Sequence, residues 1–202
     1  MKNIVKENKI FIIGIVLLVY IFLPLSIYFG LINYNYKFYI LTAGGALVYI
    51  IARMVGYSNQ DLGITRINNK RSIVDVLPIT LLLALLGLGL WLTGFSRIQM
   101  NESWLFFLFY IFISSPLQEF LYRGALGAFI QKLTKNYITR MLITSLLYSF
   151  VHIIYKDILT LALTFAIGLI WFRIYDKTKN LLGVSISHAV LGVVTIIAGI
   201  IN

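Results

Sequence analysis

The chain reads as an all-α integral membrane protein of about seven transmembrane helices, with its N-terminus inside and its C-terminus outside. Three observations predict this. Sixty per cent of its 202 residues are hydrophobic and only 12 per cent are charged, whereas soluble domains run at about 45–50 per cent apolar and about 25 per cent charged. Seven apolar runs recur, each near the roughly 20 residues that a helix needs to cross about 30 Å of hydrocarbon. The basic residues sort into alternate connections between those runs.

The first run, Ile10–Ile32, follows the basic segment MKNIVKENK. It is longer than the apolar region of a signal peptide and no small-residue cleavage site follows, so it reads as a retained span bent at Pro24. Six further runs follow: Phe38–Gly56, Val74–Phe95, Trp104–Phe129, Ile138–Tyr155, Ile158–Tyr175 and Leu181–Ile201. No ten-residue alternation recurs between turns, which argues against strands. Gly44, Gly45, Gly87, Gly89, Gly124 and Gly127 are expected to let helices approach closely. The longest polar connection, Tyr57–Ser72, reads as an ordinary loop on the inner side. The whole of 1–202 is expected to form a single polytopic domain.

Charge sets the orientation. With the N-terminus inside, thirteen basic residues lie in inner segments or adjoining span ends: three up to Lys9, four from Arg53 to Arg71, three from Lys132 to Arg140, three from Arg173 to Lys179. Only Lys37, Arg97 and Lys156 lie outside, and Arg123 lies within a span. The net charge of +10 is therefore a topology signal rather than a nucleic-acid patch. The chain has no cysteine, which excludes disulfides, thiolate catalysis and cysteine metal sites. It also has no GxxxxGK[ST], HExxH or GxSxG motif.

Against this apolar background the stretch Pro116–Gly124, PLQEFLYRG, stands out. An ionisable side chain in a bilayer core costs at least about 2.5–3.5 kcal/mol on insertion scales, so it needs a partner or a function. Glu119 and Arg123 are four residues apart and can pair on one helix face. Gln118 precedes Glu119, and neighbouring helix residues point about 100° apart, so the two are not expected to face one reacting atom. The two histidines, His152 and His188, also lie in apolar runs, with Tyr148 one turn before the first and Gly192 one turn after the second. Counting about 1.5 Å per residue puts Glu119 and His188 at the same depth, and His152 nearer the outer surface. One carboxylate and two imidazoles can hold a catalytic water, polarise a carbonyl or ligate a metal.

The order of these motifs resembles the CPBP family, also called Abi, which comprises CAAX prenyl endoproteases and bacteriocin-processing or immunity-related membrane proteins. The family's EExxxR reads here Gln118-Glu119-Phe-Leu-Tyr-Arg123, followed by Gly124. Its FxxxH reads Tyr148-Ser-Phe-Val-His152, and its HxxxN or HxxxD reads His188-Ala-Val-Leu-Gly192. The segment GLIWFRIYDKTKNLLGVSISH is similar to the family's link into its last histidine, and an LGI follows Asp61. Motif support covers about residues 114–192.

The resemblance implies a multi-pass protein of a bacterial plasma membrane and a glutamate-dependent intramembrane peptidase. In such a site the first Glu and first His activate water, the last His and its Asn stabilise the oxyanion, and the second Glu with the Arg supports them. Two positions depart from the pattern. Gln118 stands for the base-bearing Glu, and an amide accepts no proton near neutral pH. Gly192 stands for the side-chain donor, whose loss typically costs about 100- to 1,000-fold in rate.

The leading expectation is an intramembrane endopeptidase, a hydrolase weakened at these two positions. Glu119 or one of the histidines would be the base, His152 would position water and His188 would polarise the carbonyl. Arg123 would hold Glu119 ionised. If a divalent metal such as zinc takes part, its ligands would be Glu119, His152 and His188. The expected partners are membrane lipid and a membrane-associated peptide or protein, such as a bacteriocin or its receptor, and no nucleic acid. The alternative is a non-catalytic member that gives bacteriocin self-immunity by binding. A small transporter or proton relay is disfavoured, since the spans show no repeat symmetry.

Overall fold

The computed structural model describes residues 2–99 and 101–201, with the backbone alone for residues 2–9. Among the described residues there is no strand. Seven helical segments carry the chain: α1 (Lys2–Tyr28), α2 (Lys37–Val55), α3 (Asn69–Leu92), α4 (Trp104–Leu133), α5 (Tyr137–Tyr155), α6 (Ile158–Thr178) and α7 (Leu182–Ile197). Six are long and apolar enough to cross a membrane, and α7 is a shorter apolar helix. The protein is an all-α, multi-pass membrane protein.

Two ends differ from the apolar runs. The helix α1 stops at Tyr28, one turn after Pro24, and Gly30 at φ +77° turns the chain. The last run stays apolar to Ile201, yet α7 ends at Ile197 after 16 residues, about 24 Å of rise. Gly199 adopts φ +61°, and its carbonyl accepts the N–H groups of Arg97 and Ile98. Hydropathy marks where lipid can lie and does not mark where a carbonyl finds a better partner.

The Tyr57–Ser72 connection is an anchored element rather than a plain loop. Its last residues, from Asn69, already form the first turn of α3. The fully buried amide of Asn180, in the α6–α7 turn, reaches Thr65 O, Ile67 O and Asn69 Oδ1 at 2.7–2.9 Å. Leu62 is buried, the Leu181 N–H donates to Gly63 O, and the Tyr57 hydroxyl donates to Ala128 O.

The bundle follows the rules of packing in lipid. Leu81, Leu82, Leu85 and Leu86 face outward, while Ser72, Thr80, Ser114, Ser145 and Ser187 are buried between helices. Burying apolar surface gains little against lipid tails, so small and hydrogen-bonding residues occupy the interfaces. The helix α3 packs along α7, α5 packs along α6, and the middle of α4 lies against α7 and α2. At the α3–α7 crossing a Cβ on Gly183 would sit 2.1 Å from Ser72 O. Of the six glycines expected at close contacts, Gly45, Gly87 and Gly124 have neighbours that a Cβ would strike, Gly127 has only an ordinary contact, and Gly44 and Gly89 face open space.

Candidate active site

The central helix α4 is not a regular α-helix. It winds as α-helix to Phe109, as π-helix over Tyr110–Ser114, as α-helix over Ser115–Glu119 and as π-helix again over Phe120–Leu126. Pro116 accounts for the first of these: it has no N–H to give Phe112 O, and its ring crowds that carbonyl. Nothing in the local sequence accounts for the second. Wide turns of this kind concentrate at functional sites, and here they bracket Gln118 and Glu119.

Gln118 and Glu119 face opposite environments. Glu119 is 0 % exposed and Arg123 1 % exposed. The Glu119 Oε1 atom accepts from Arg123 Nη1 at 3.1 Å and from His188 Nδ1 at 2.7 Å. The Arg123 guanidinium also lies 3.9 Å from the centre of the Tyr148 ring and 5.3 Å from that of Trp171, cation–π distances. Glu119 Oε2 and Arg123 Nη2 are buried without a hydrogen-bond partner. The equal depth expected for Glu119 and His188 is what allows their contact.

His188 is fixed on every side. A carboxylate only accepts, so Nδ1 carries the proton of the neutral ring and Nε2 keeps its lone pair. Nε2 lies 3.5 Å from the Tyr148 hydroxyl. Trp171 stacks on the imidazole, with centroids 4.9 Å apart and planes at 24°. The indole N–H donates to Ser187 Oγ at 3.0 Å, and Ser187 shares a 2.6 Å hydrogen bond with Thr80 on α3. These contacts set the ring plane, as second partners do for a working histidine.

His152 sits in the tighter last turn of α5, Val151–Tyr155. Its Nδ1 donates to Tyr148 O at 2.9 Å, which again leaves Nε2 with the lone pair. Rings of both histidines make edge contacts with Tyr148, at 5.2 and 5.7 Å between centroids. His152, expected nearer the outer surface, thus shares one tyrosine with His188.

Both imidazoles line a cavity of about 680 Å³, within the range of small-molecule and peptide sites. Gln118, Tyr148, Trp171 and Gly192 also line it. Gln118 is half-buried there, and its amide donates to Ser114 Oγ at 3.0 Å. The cavity extends to Lys37, the first residue of α2, and to Gln99 and Glu102 in the connection between α3 and α4, all at one end of the bundle. Neither Glu119 nor Arg123 lines it.

Of the five residues singled out in sequence, Gln118, His152 and His188 therefore meet at the cavity. Glu119 and Arg123 form the buried support behind His188. A metal set of Glu119, His152 and His188 does not fit this arrangement. The Glu119 oxygen nearest His188 is held by Nδ1–H and by Arg123, and among the described residues no three His, Cys, Asp or Glu side chains cluster closely enough to hold a metal ion.

Three contributors escape sequence reasoning: Tyr110, Trp171 and the Thr80–Ser187 pair. Each is an ordinary residue of an apolar helix until the helices are assembled. The one available signal is Gly192, whose missing side chain implies that another group fills its place. A Cβ there would lie 2.0 Å from the Tyr110 hydroxyl.

The bundle seals an ion pair behind a histidine that lines a cavity, and one comparison bears on what such a bundle is similar to. Residues 100–194 match the family model described as Rce1-like, type II CAAX prenyl endopeptidase Rce1-like. That match spans the three motifs, and this part of the chain is similar to the CPBP family. No curated protein matches the chain, and no solved structure does.

Proposed function

We propose that the protein is a CPBP-family intramembrane endopeptidase whose reacting groups are the two histidines, with Glu119 and Arg123 in support. The observation that carries this reading is that His152 and His188 share one cavity while each donates its Nδ1 proton away from it, to Tyr148 O and to Glu119 Oε1. Both Nε2 atoms then carry lone pairs that one water can share, although the Tyr148 hydroxyl stands 3.5 Å from that of His188.

In the proposed reaction His188 Nε2 takes a proton from that water while His152 Nε2 accepts its other hydrogen and orients it. The oxygen adds to the scissile carbonyl carbon to give a tetrahedral oxyanion. As the oxyanion collapses, the C–N bond breaks, the imidazolium returns its proton to the leaving amine, and the products are a carboxylic acid and an amine. Glu119 stabilises the imidazolium through Nδ1–H, as the buried carboxylate does in a Ser-His-Asp triad. Arg123 keeps Glu119 ionised in a site with little water. Gln118 binds or orients and transfers no proton.

The proposed substrate is a membrane-associated peptide, and the proposed setting is a bacterial plasma membrane with the N-terminus inside. The cavity then opens outward, since Lys37, Gln99 and Glu102 belong to the end poorer in basic residues. The test is cleavage of a quenched prenylated CAAX peptide by the purified protein in detergent. Cleavage is expected in the parent and lost by at least about 100-fold in His152→Ala and in His188→Ala. Unchanged rates in both variants would overturn the assignment.

A second reading has its own support. Gln118 puts an amide on the cavity wall where the family carries a carboxylate, and Gly192 carries no side-chain donor. In that reading the chain binds a bacteriocin or its receptor and confers immunity without hydrolysis. Protection that persists in the double variant His152→Ala with His188→Ala, at normal expression, would favour it, and lost protection would count against it.

A further inference from the structure

We infer that the Tyr110 hydroxyl is the hydrogen-bond donor to the oxyanion in the hydrolysis proposed above, and the inference rests on that proposal. A site that lets negative charge grow on a carbonyl oxygen needs a donor already in place beside the base. The cavity offers few. The two imidazole Nδ1–H groups are committed to Tyr148 O and Glu119 Oε1, the Gln118 amide to Ser114, and the Tyr148 hydroxyl faces His188 Nε2. None of these takes the phenolic proton of Tyr110, and the buried Ser115 hydroxyl, which stands near its oxygen, can donate to it and leave that proton to the cavity.

Tyr110 lines the cavity and stands edge-on to His188, with centroids 5.9 Å apart and planes at 74°. Its ring is held from behind by Phe106, stacked at 5.7 Å. Its hydroxyl rests on the bare backbone of Gly192, one turn beyond His188 on α7, at a point that a Cβ would approach to 2.0 Å. Glycine at 192 and tyrosine at 110 are thus complementary: the first leaves a hole beside the histidine, and the second fills it with an O–H donor. The first π-helical turn of α4 begins at Tyr110 itself, so the wide winding contributes to where this ring is presented.

The inference requires a carbonyl bound with its carbon beside the attacking water and its oxygen toward Tyr110, next to Gly192 on α7. As that water adds, electron density moves from the C=O bond onto the oxygen, and the phenol O–H hydrogen-bonds to it. No proton needs to leave Tyr110. When the C–N bond breaks, the C=O bond re-forms and the hydrogen bond weakens.

The test uses the full-length protein and the quenched prenylated CAAX peptide. Tyr110→Phe keeps the ring and removes only the hydroxyl. It is expected to lower kcat about 100-fold with KM within about twofold, the pattern of an interaction made only in the transition state. Tyr110→Ala with Gly192→Asn returns an amide donor to the vacated space, and is expected to exceed Tyr110→Ala alone by at least about tenfold. A Tyr110→Phe protein that cleaves within about threefold of the parent would overturn the inference and leave the peptidase reading standing. So would a folded double variant that stays at the rate of Tyr110→Ala, or a Tyr110→Phe protein that no longer folds, which would make the hydroxyl structural. A parent that does not cleave overturns the peptidase reading, and this inference with it.

Discussion

The two sides of one helical turn in α4 are built on opposite terms. On one side Glu119 and Arg123 are sealed against His188, with their charges spent on each other and on the imidazole. On the other side, Gln118, adjacent to Glu119 in sequence, faces a cavity whose wall holds two imidazoles, tyrosines and apolar side chains. The comparison teaches that the conspicuous charges do not line the cavity. A buried ion pair fixes the position of a histidine, and the residues that line the cavity are nearly invisible to a count of charges. The buried face holds His188 in place through Glu119, and the cavity face is open to a ligand, so Gln118 can be altered without disturbing the ion pair.

The largest effect that separates them is on stability. Removing one member of a buried ion pair leaves the other unpaired, at a cost of about 3–5 kcal/mol. Glu119→Ala is therefore expected to lower the Tm in detergent by many degrees or to prevent folding, whereas Gln118→Ala is expected to stay within about 1 kcal/mol of the parent. Equal losses would erase the distinction between the faces.

A smaller and more specific effect concerns rate. Gln118→Glu places a carboxylate on the cavity wall beside the two histidines, and a well-placed general base contributes about 100- to 10,000-fold. We expect cleavage of the prenylated peptide to rise at least about tenfold, with Tm little changed. A fall in rate would show that the amide makes a contact that the carboxylate cannot.

The smallest effect lies away from both faces. Arg97 and Thr160 hydrogen-bond Asp157 and hold its carboxyl well below the usual carboxylate range. A depressed pKa in the folded state means that this stability is present above the unfolded value, about pH 4, and is lost as pH falls through the folded one. Thermal unfolding of Asp157→Asn should show a flatter acid limb than the parent and the same behaviour near pH 7. An unchanged acid limb would remove Asp157 from the account.

Much of the fold is legible in the residues alone, because membrane spans are written in length and apolarity. The six long helices begin and end within a few residues of their apolar runs, apart from both ends of α1, the start of α3 and the end of α4. The last helix is the exception, since Ile197–Ile201 remains apolar while Gly199 turns the chain toward Arg97. The equal depth of Glu119 and His188 was legible too, but not their contact, which needs α4 packed against α7. The shared cavity for His152 was not. Its placement depends on the tight last turn of α5, which no spacing in YSFVHIIY announces. The second π-helical turn of α4, the stacking of Trp171 and the seat of Tyr110 on Gly192 arise from three-dimensional crowding, which local sequence does not encode.

The most direct test of the two-faced helix needs no substrate. The chain has no native cysteine, so single thiols can be introduced and their accessibility compared. Gln118 lines the cavity, whereas Ser115, a turn earlier, is fully buried and does not. In folded protein in detergent, a small methanethiosulfonate reagent is expected to modify Gln118→Cys at least about 100-fold faster than Ser115→Cys, with Ser115→Cys reacting only after unfolding. Equal rates in the folded protein would contradict the account.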